Sequence, residues 1–261
     1  MQCIARRVSD KALLHLIKQW LVAPVEETDA RGRVTRTTRN KDRGRGTPQG
    51  APLSPLLANL YMRRFVLGWK TLGHETRYRA RIVNYADDFV IVCQWQADKA
   101  FHAMRDMMAR LKLTVNETKT HVCRLPMESF DFLGYTFGRL YSRRTGGAYI
   151  GLRPARKKVV GICRELTELT TRLPTFMRPE ALVHQVNQVL RGWANYFNHG
   201  TFRPAFKSVH AHACRRVRRW LRRKYAFRGE GYRQYPDQRL LRELKLLDLT
   251  RYPRGDSWAN A

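Results

Sequence analysis

The chain has 261 residues, 43% of them hydrophobic, and its 50 Lys and Arg residues against 21 Asp and Glu residues give a formal charge of +29. This composition supports a folded core and excludes a disordered tail, and self-repulsion on this scale indicates a polyanionic partner, most simply a nucleic acid. The sequence has no run of 18 apolar residues and no apolar signal core behind its first basic residues, so we expect neither a membrane span nor secretion, and we predict a cytoplasmic protein.

The chain begins with a predicted helix followed by a charged segment. Apolar residues recur at helical spacing over residues 9–21, and Ser9 stands where an N-cap is expected. Residues 26–45 are strongly charged and include a predicted turn at residues 29–32, which indicates a basic surface hairpin or loop. Its basic residues either follow a phosphate backbone or form a solvated face, and the net charge favours the first interpretation. They are Arg36, Arg39, Lys41, Arg43 and Arg45.

A loop rich in glycine and proline precedes the second predicted helix. Three glycines between residues 44 and 50 permit another backbone to approach closely, and Pro48 restricts the shape of the loop. Ser54 as N-cap and Pro55 at the first helical position then predict the start of a helix. The alternative interpretation is an ordinary helix-entry loop with an exposed glutamine, Gln49.

Two adjacent acids, Asp87 and Asp88, stand at the tip of a predicted hairpin between the apolar runs 82–83 and 89–92. Such a turn holds both carboxylates at one fixed place. Because Mg²⁺ prefers oxygen ligands, usually one or two carboxylates plus substrate phosphates, the pair is a candidate metal site. The alternative is a solvated turn, in which Asp is common.

The rest of the chain predicts a mixed fold of the α+β class. A helix over 98–112, short strands at 113–115 and 120–123, and a strand over 130–137 broken by Gly134 indicate a small antiparallel sheet with helices. The methionines of the 98–112 helix are expected in the core. Residues 139–155 are the candidate linker, and helices over 156–172, 179–197 and 204–227 predict a helical bundle.

Five motifs, in this order and spacing, resemble those of group II intron reverse transcriptases, and together they cover almost the whole chain. The last resembles the signature of the thumb or maturase domain of that family. They are Gly46-Thr47-Pro48-Gln49-Gly50, Leu53-Ser54-Pro55-Leu56-Leu57-Ala58-Asn59, Tyr85-Ala86-Asp87-Asp88-Phe89, Phe132-Leu133-Gly134-Tyr135 and Arg191-Gly192-Trp193-Ala194-Asn195-Tyr196-Phe197.

The resemblance implies a partial right-hand polymerase palm over 1–138 and an all-α thumb and maturase domain over 156–261. It implies an RNA-directed DNA polymerase that performs template- and primer-dependent nucleotidyl transfer and binds intron RNA. Asp87 and Asp88 would then be catalytic residues and ligands of a two-ion Mg²⁺ site. The implied partners are template or intron RNA, a DNA primer, a dNTP and a separate N-terminal fragment.

The resemblance also assigns further roles. Lys119 would protonate the departing pyrophosphate, although an exposed turn lysine is an equal alternative. Phe132 and Leu133 of the primer grip have the alternative of packing only. The residues for nucleotide and template contact are Pro48, Gln49, Gly50 and Tyr85, and those of the primer grip are Phe132, Leu133, Gly134 and Tyr135.

The basic residues of the C-terminal half are candidates for RNA contact. The run from Arg215 to Lys224 is dense and lacks nearby acids, which favours phosphate contact over salt bridges. For the aromatic residues Trp193, Tyr196 and Phe197, helical spacing favours a place in the bundle core over RNA contact. The predicted RNA-binding residues are Arg191, Arg215, Arg218, Arg219, Arg222, Arg223 and Lys224.

One family feature is not found in the sequence. Family members carry a further metal-binding Asp on a strand before the first helix, and a fingers region before that. The acids that precede the Pro-Gln-Gly loop do not lie in an apolar strand, and we place Asp10 in the first turn of a helix. We therefore expect a truncated chain that is inactive alone. The alternative is a non-catalytic RNA-binding splicing factor or a degenerate remnant.

Overall fold

The computed structural model describes residues 1–28, 32–37, 54–142 and 144–254. The chain divides into two compact units, Met1–Val122 and Cys123–Ala261. The helices of the first unit are α1 (Gln2–Ala5), α2 (Lys11–Val22), α3 (Ser54–Thr71), α4 (His74–Arg77) and α5 (Ala97–Arg110). Its strands are β1 (Val25–Thr28), β2 (Val34–Thr37), β3 (Ala80–Tyr85) and β4 (Asp88–Cys93).

The second unit consists of a three-stranded sheet and a helical bundle. Its strands are β5 (Phe130–Phe132), β6 (Tyr135–Tyr141) and β7 (Ala148–Pro154). Its helices are α6 (Arg156–Arg172), α7 (Pro179–Phe197), α8 (Arg203–Tyr225) and α9 (Asp237–Arg242), followed by a 3₁₀ turn at Leu249–Arg251. The fold class is therefore α+β, as predicted.

The core of the first unit lies between α3, α5 and one face of the β3–β4 hairpin. Phe65 and Trp69 are one helical turn apart on α3 and are fully buried, and the indole of Trp69 donates to the carbonyl of Ala80 at 3.0 Å. The methionines of α5 are in this core, as predicted, and Ile82 and Ile91 pack against it from the hairpin. One face of the hairpin is thereby anchored.

Two details of the first unit differ from the prediction. Helix α2 begins at Lys11 with Asp10, not Ser9, as its N-cap, because the Asp10 carboxylate accepts from the amides of Ala12 and Leu13. The strands expected at 113–115 and 120–123 are absent from the described structure. Asn116 instead closes a turn, since its side chain accepts from the Thr118 amide at 3.1 Å and so competes with strand pairing.

The sheet of the second unit occupies residues that were predicted to be one broken strand and a linker. The 130–137 segment is a hairpin, in which Phe132 pairs with Tyr135 across a two-residue turn. Residues 139–155 are not a linker, because they complete β6 and contain all of β7, which pairs antiparallel with β6. The alternation of apolar residues in β6 and β7 explains this, because Phe137 and Leu152 pack against the helical core.

The three long helices of the bundle lie close to their predicted places, with α8 beginning at Arg203 and ending at Tyr225. Their apolar faces meet in one core, in which Leu166, Leu190 and Trp220 are fully buried. No helix within the described ranges is both long and apolar enough to cross a membrane.

Candidate catalytic hairpin and nucleic-acid interface

The β3–β4 hairpin ends in a two-residue turn formed by Ala86 and Asp87, and Tyr85 pairs directly with Asp88 across it. Ala86 adopts a left-handed conformation with φ of 53°, and the Asn84 side chain donates to the Ala86 carbonyl at 3.2 Å. The turn is therefore short and closed. It fixes the backbone positions of Asp87, in the turn, and Asp88, the first residue of β4.

Both carboxylates of the turn point into solvent-accessible space. Asp87 and Asp88 are exposed, and neither has an ion pair or side-chain hydrogen bond within the described part of the chain. Tyr85 beside them has 64% of its surface exposed. Two free carboxylates with open space around them suit Mg²⁺, which commonly takes its remaining ligands from water and phosphates. In the described ranges no three His, Cys, Asp or Glu residues are grouped in a metal-binding arrangement.

The acids upstream of the hairpin have other partners where their side chains are described. Asp10 caps α2, and Glu26 forms an ion pair of 2.5 Å with Arg36, which faces it across the β1–β2 hairpin. The predicted nucleotide-contact residues Pro48, Gln49 and Gly50 lie outside the described residues. The same holds for Arg39, Lys41, Arg43 and Arg45.

Lys119 lies in the turn that Asn116 closes, and its amide donates to the Asn116 carbonyl at 3.1 Å. Its side chain is exposed. The neighbouring Glu117 is held by Arg105 of α5 through two hydrogen bonds of 2.7 and 3.2 Å. The turn is thus fixed to α5. The ammonium group of Lys119 is accessible to a ligand.

The predicted primer-grip motif forms the turn of the β5–β6 hairpin. Both turn residues are left-handed, with φ of 49° at Leu133 and 79° at Gly134, which is the pattern of a type I′ hairpin turn. A Cβ atom at Gly134 would lie 3.2 Å from the Phe197 ring. Gly134 is therefore favoured twice, by the backbone conformation and by the close approach of α7.

Two tyrosines join this turn to the end of α7. The Tyr135 hydroxyl donates to the Tyr196 carbonyl at 2.5 Å, and the Tyr196 hydroxyl donates to the Leu133 carbonyl at 2.8 Å. Burial raises the pKa of Tyr135 to about 12. The motifs at 132–135 and 191–197, which are about 60 residues apart in the sequence, are thus in direct contact.

The aromatic residues of the second motif divide between core and surface. Phe197 is buried, and Trp193 packs against Phe197 and Phe206 with ring centroids 5.0 and 5.1 Å apart. These two residues confirm the preference for the core. Tyr196 is 52% exposed and serves instead to hold the Leu133 carbonyl.

The basic run of α8 also divides into two groups. Exposed arginines recur at positions i, i+4, i+7 and i+8 and so form one stripe on the helix. Arg216 and Arg218 lie on the other side and are 8% and 2% exposed. The exposed stripe consists of Arg215, Arg219, Arg222 and Arg223.

The expectation that this run has no acid partner is wrong for Arg218. Its guanidinium is ion-paired with Asp237, donates to the Tyr235 carbonyl at 2.7 Å and lies 4.1 Å from the centre of the Tyr232 ring. Because Arg218 is buried in these contacts, its guanidinium is not open to a phosphate. The partner was missed because it lies 19 residues further along the chain, on α9.

A further role of the basic run could not be read from the sequence. The last carbonyl groups of helix α6 have no hydrogen-bond partner within the helix. Side chains of α8 donate hydrogen bonds to these groups and to carbonyl groups of the loop that follows. Arg216 donates to the Thr170 hydroxyl at 2.9 Å, and Arg223 donates to the Thr170 carbonyl at 2.5 Å. Burial, followed by the charges of Arg219 and Arg223, lowers the pKa of Arg216. Two further donors are Trp220, to the Leu173 carbonyl, and Lys224, to the Thr175 carbonyl.

Arg191 lies exposed on α7, without an ion pair within the described residues. It therefore remains accessible, as do Arg215, Arg219 and Arg222 of the exposed stripe, whereas Arg223 already donates to the Thr170 carbonyl. Lys224 is half-buried and already engages the Thr175 carbonyl. These residues lie in the more basic half of the chain, since residues 139–261 hold 27 basic and 8 acidic residues, against 23 and 13 in residues 1–138.

The strongly basic helical unit is typical of proteins that bind nucleic acids. Residues 2–137 match the family of reverse transcriptases (RNA-dependent DNA polymerases), and residues 161–235 match the maturase-specific domain of group II introns. The first match covers just over half of the chain, so the chain belongs to the reverse transcriptase family, and the second match makes it a group II intron reverse transcriptase/maturase. A comparison with curated proteins finds no match.

Membership of this family has two general consequences. Its polymerases depend on divalent metal ions, and reverse transcriptase and maturase domains act on RNA and other nucleic acids. The structural division at Val122 and the end of the first match at residue 137 do not coincide. The β5–β6 hairpin therefore starts within the reverse transcriptase match but folds with the helical unit.

Proposed function

We propose that the tip of the β3–β4 hairpin is the metal-binding part of a nucleotidyl-transfer site, at which a DNA primer is extended on an RNA template. The observation that carries the proposal is the pair of exposed, unpaired carboxylates of Asp87 and Asp88 on a closed turn. Mg²⁺, when bound, would stabilise charge on the attacking and leaving oxygens. The carboxylates would hold the ions, and substrate phosphates and water would supply the remaining ligands.

Other residues of the first unit would act on the substrates. Tyr85 is adjacent to Asp88 across the turn and is exposed, which suits contact with a nucleotide or template. The exposed ammonium of Lys119 would donate a proton to the departing pyrophosphate. Pro48, Gln49 and Gly50 remain the proposed nucleotide and template loop. We also retain the proposal of a partial palm over 1–138 and a thumb over 156–261.

The metal site can be tested by cleavage of the chain instead of by synthesis. Fe²⁺ that replaces Mg²⁺ reduces added hydrogen peroxide to hydroxide and a hydroxyl radical, ascorbate returns the resulting Fe³⁺ to Fe²⁺, and the radical cuts the backbone close to the bound ion. With RNA template, a dideoxy-terminated DNA primer and a dNTP present, we expect cuts within residues 84–90. The Asp87→Asn/Asp88→Asn double variant should lose these cuts. The Asp106→Asn variant, which changes an exposed acid on α5, should retain them. Cuts that persist in the double variant would refute the site.

We further propose that the helical unit binds RNA through the exposed stripe of α8. Arg215, Arg219, Arg222 and Arg223 present four exposed side chains on one face. Arg223 also donates to the Thr170 carbonyl of α6, whereas α6 and α9 occupy the donors of the buried Arg216 and Arg218. Arg191 on α7 and the half-buried Lys224 are additional candidates. Within the β5–β6 hairpin, the turn of Leu133 and Gly134 would approach the primer.

RNA binding should depend on salt in proportion to the number of phosphate contacts. For the Arg219→Gln/Arg222→Gln variant we expect the slope of log affinity against log salt concentration to flatten by about 0.7 per lost contact on single-stranded RNA. The matched control, Lys99→Gln/Arg110→Gln, removes the same charge from exposed positions on α5. A slope that changes equally in both variants would place the RNA surface elsewhere.

RNA binding without DNA synthesis is the second candidate function. It is favoured by the charge of the C-terminal half, where basic residues outnumber acidic ones by more than three to one. Under this proposal, splicing assistance would survive the Asp87→Asn/Asp88→Asn change and would be lost in the Arg219→Gln/Arg222→Gln variant. Loss of intron splicing in the carboxylate variant would argue against it.

A further inference from the structure

Phe176 is the most exposed large apolar side chain in the described part of the protein. It lies in the loop between α6 and α7, and 86% of its surface is accessible to solvent. Single exposed apolar residues are common on protein surfaces and need no explanation by themselves. What distinguishes Phe176 is the way in which its loop is held and the groups that surround it.

The loop is fixed on both sides of the exposed ring. The Leu173 carbonyl accepts from the Trp220 indole at 3.1 Å, and the Thr175 carbonyl accepts from the Lys224 ammonium at 2.9 Å. After the ring, Met177 packs against the bundle core. The backbone on which Phe176 stands is therefore anchored by direct contacts with α8 and the core. A ring presented in this way loses little further conformational freedom when a ligand covers it.

The groups close to this loop are cationic and aromatic. The Lys224 ammonium that holds Thr175 lies 5.6 Å from the centre of the Tyr225 ring, which is half exposed. Arg172 ends α6 and Arg178 precedes α7, and both are exposed without an ion pair within the described residues. Glu180, in the first turn of α7, is the nearest acid in the sequence.

We propose that Phe176 is a stacking platform for one unpaired RNA base, with Lys224 and the flanking arginines beside the adjacent phosphates. Unpaired bases stack on exposed aromatic rings, and basic groups next to such rings bind the backbone that connects the bases. A base-paired duplex offers no free base face at this position. The platform therefore selects single-stranded segments such as loops, bulges and ends. It rests on the proposed RNA binding by α8 and adds the kind of RNA that is bound.

The test compares the affinity of the full chain for single-stranded RNA and for a duplex of the same sequence at several salt concentrations. Phe176→Ala should weaken single-strand binding roughly 5- to 150-fold, which corresponds to the loss of one stacked base. The duplex affinity and the salt slope should not change, because no charge is removed. Phe176→Trp should restore the binding. Met127→Ala, at a site that is 84% exposed in the same unit, should bind like the unchanged protein.

The outcomes separate this inference from the proposal on which it rests. If the unchanged protein binds RNA with the expected salt slope and Phe176→Ala binds single strands equally well, the stacking platform is refuted and the α8 surface stands. That result would leave Phe176 as a contact for a protein partner. If the unchanged protein does not bind RNA, both proposals fail. Equal weakening of single-strand and duplex binding would also refute the platform.

Discussion

The β3–β4 and β5–β6 hairpins have turns of the same length, but the first turn is exposed and the second is packed against a helix. Each has a two-residue turn, Ala86-Asp87 between β3 and β4 and Leu133-Gly134 between β5 and β6. At the first turn the functional side chains are exposed and have no partners among the described residues. At the second turn the backbone is tied to α7 by Tyr135 and Tyr196.

This difference separates two ways in which a two-residue turn can serve a site. If the first turn supplies metal ligands, as proposed, its carboxylates must stay free, and the turn is held instead by the face of the strands that packs on α3 and α5. If the second turn orients a bound primer, as proposed, it must be rigid, and the Leu133 carbonyl and Gly134 both contact the end of α7. Substitutions at the first tip should therefore alter chemistry, and substitutions at the second should alter stability.

The largest effect is expected for Gly134→Ala. The new Cβ atom would lie 3.2 Å from the Phe197 ring on a backbone with φ of 79°, so the free energy of unfolding of the second unit should fall by about 1–3 kcal/mol. Hydrogen exchange of the β5–β6 amides measures this. The matched change at the other tip, Ala86→Gly, removes the strain at φ of 53° and should be neutral or stabilising. An equal loss at both tips would remove the distinction between them.

A smaller effect is expected for Tyr135→Phe, which removes the hydrogen bond to the Tyr196 carbonyl. The loss should be about 0.5–1.5 kcal/mol, and Tyr196→Phe, at a half-exposed position, should cost less. Burial raises the pKa of Tyr135 to about 12, above the ordinary value near 10 in the unfolded chain. As the pH rises, the phenol of Tyr135 therefore loses its proton in the unfolded chain before it does so in the folded chain.

It follows that the stabilisation from Tyr135 is complete below pH 10 and is lost as the pH rises towards 12. The difference in unfolding free energy between the unchanged protein and Tyr135→Phe should narrow over this range. Denaturation of both proteins at pH 8, 10 and 11 tests whether this difference narrows as the pH rises. A difference that widens above pH 10 would contradict the buried, neutral phenol.

The sequence was a good guide where local signals determine the structure. Helices α6 and α7 were placed correctly because Pro179 and the apolar periodicity mark them, and the β3–β4 hairpin followed from two apolar runs around a polar pair. The β5–β6 turn was mistaken for a break in one strand, because Leu133 is an uncommon residue for a left-handed position.

The sequence was a poor guide where a partner lies far along the chain. Nothing near Arg218 indicates that Asp237 will pair with it, and nothing near Arg216 indicates that the end of α6 needs its donors. A dense basic run therefore predicts surface charge, whereas the fold uses part of it to satisfy buried carbonyl groups. Which side of a helix is buried depends on its tertiary contacts. On α8 these contacts determine which arginines remain exposed.

The smallest effect on stability is expected for Asp87→Asn. The carboxylate is exposed and has no bonding partner among the described residues, so the free energy of unfolding should stay within about 0.5 kcal/mol of the unchanged value. The same variant should lose Fe²⁺-directed cleavage at the hairpin, because the amide is a weaker ligand than the carboxylate. A loss of stability above about 1 kcal/mol would mean that Asp87 supports the turn, and the contrast between a free tip and a held tip would then fail.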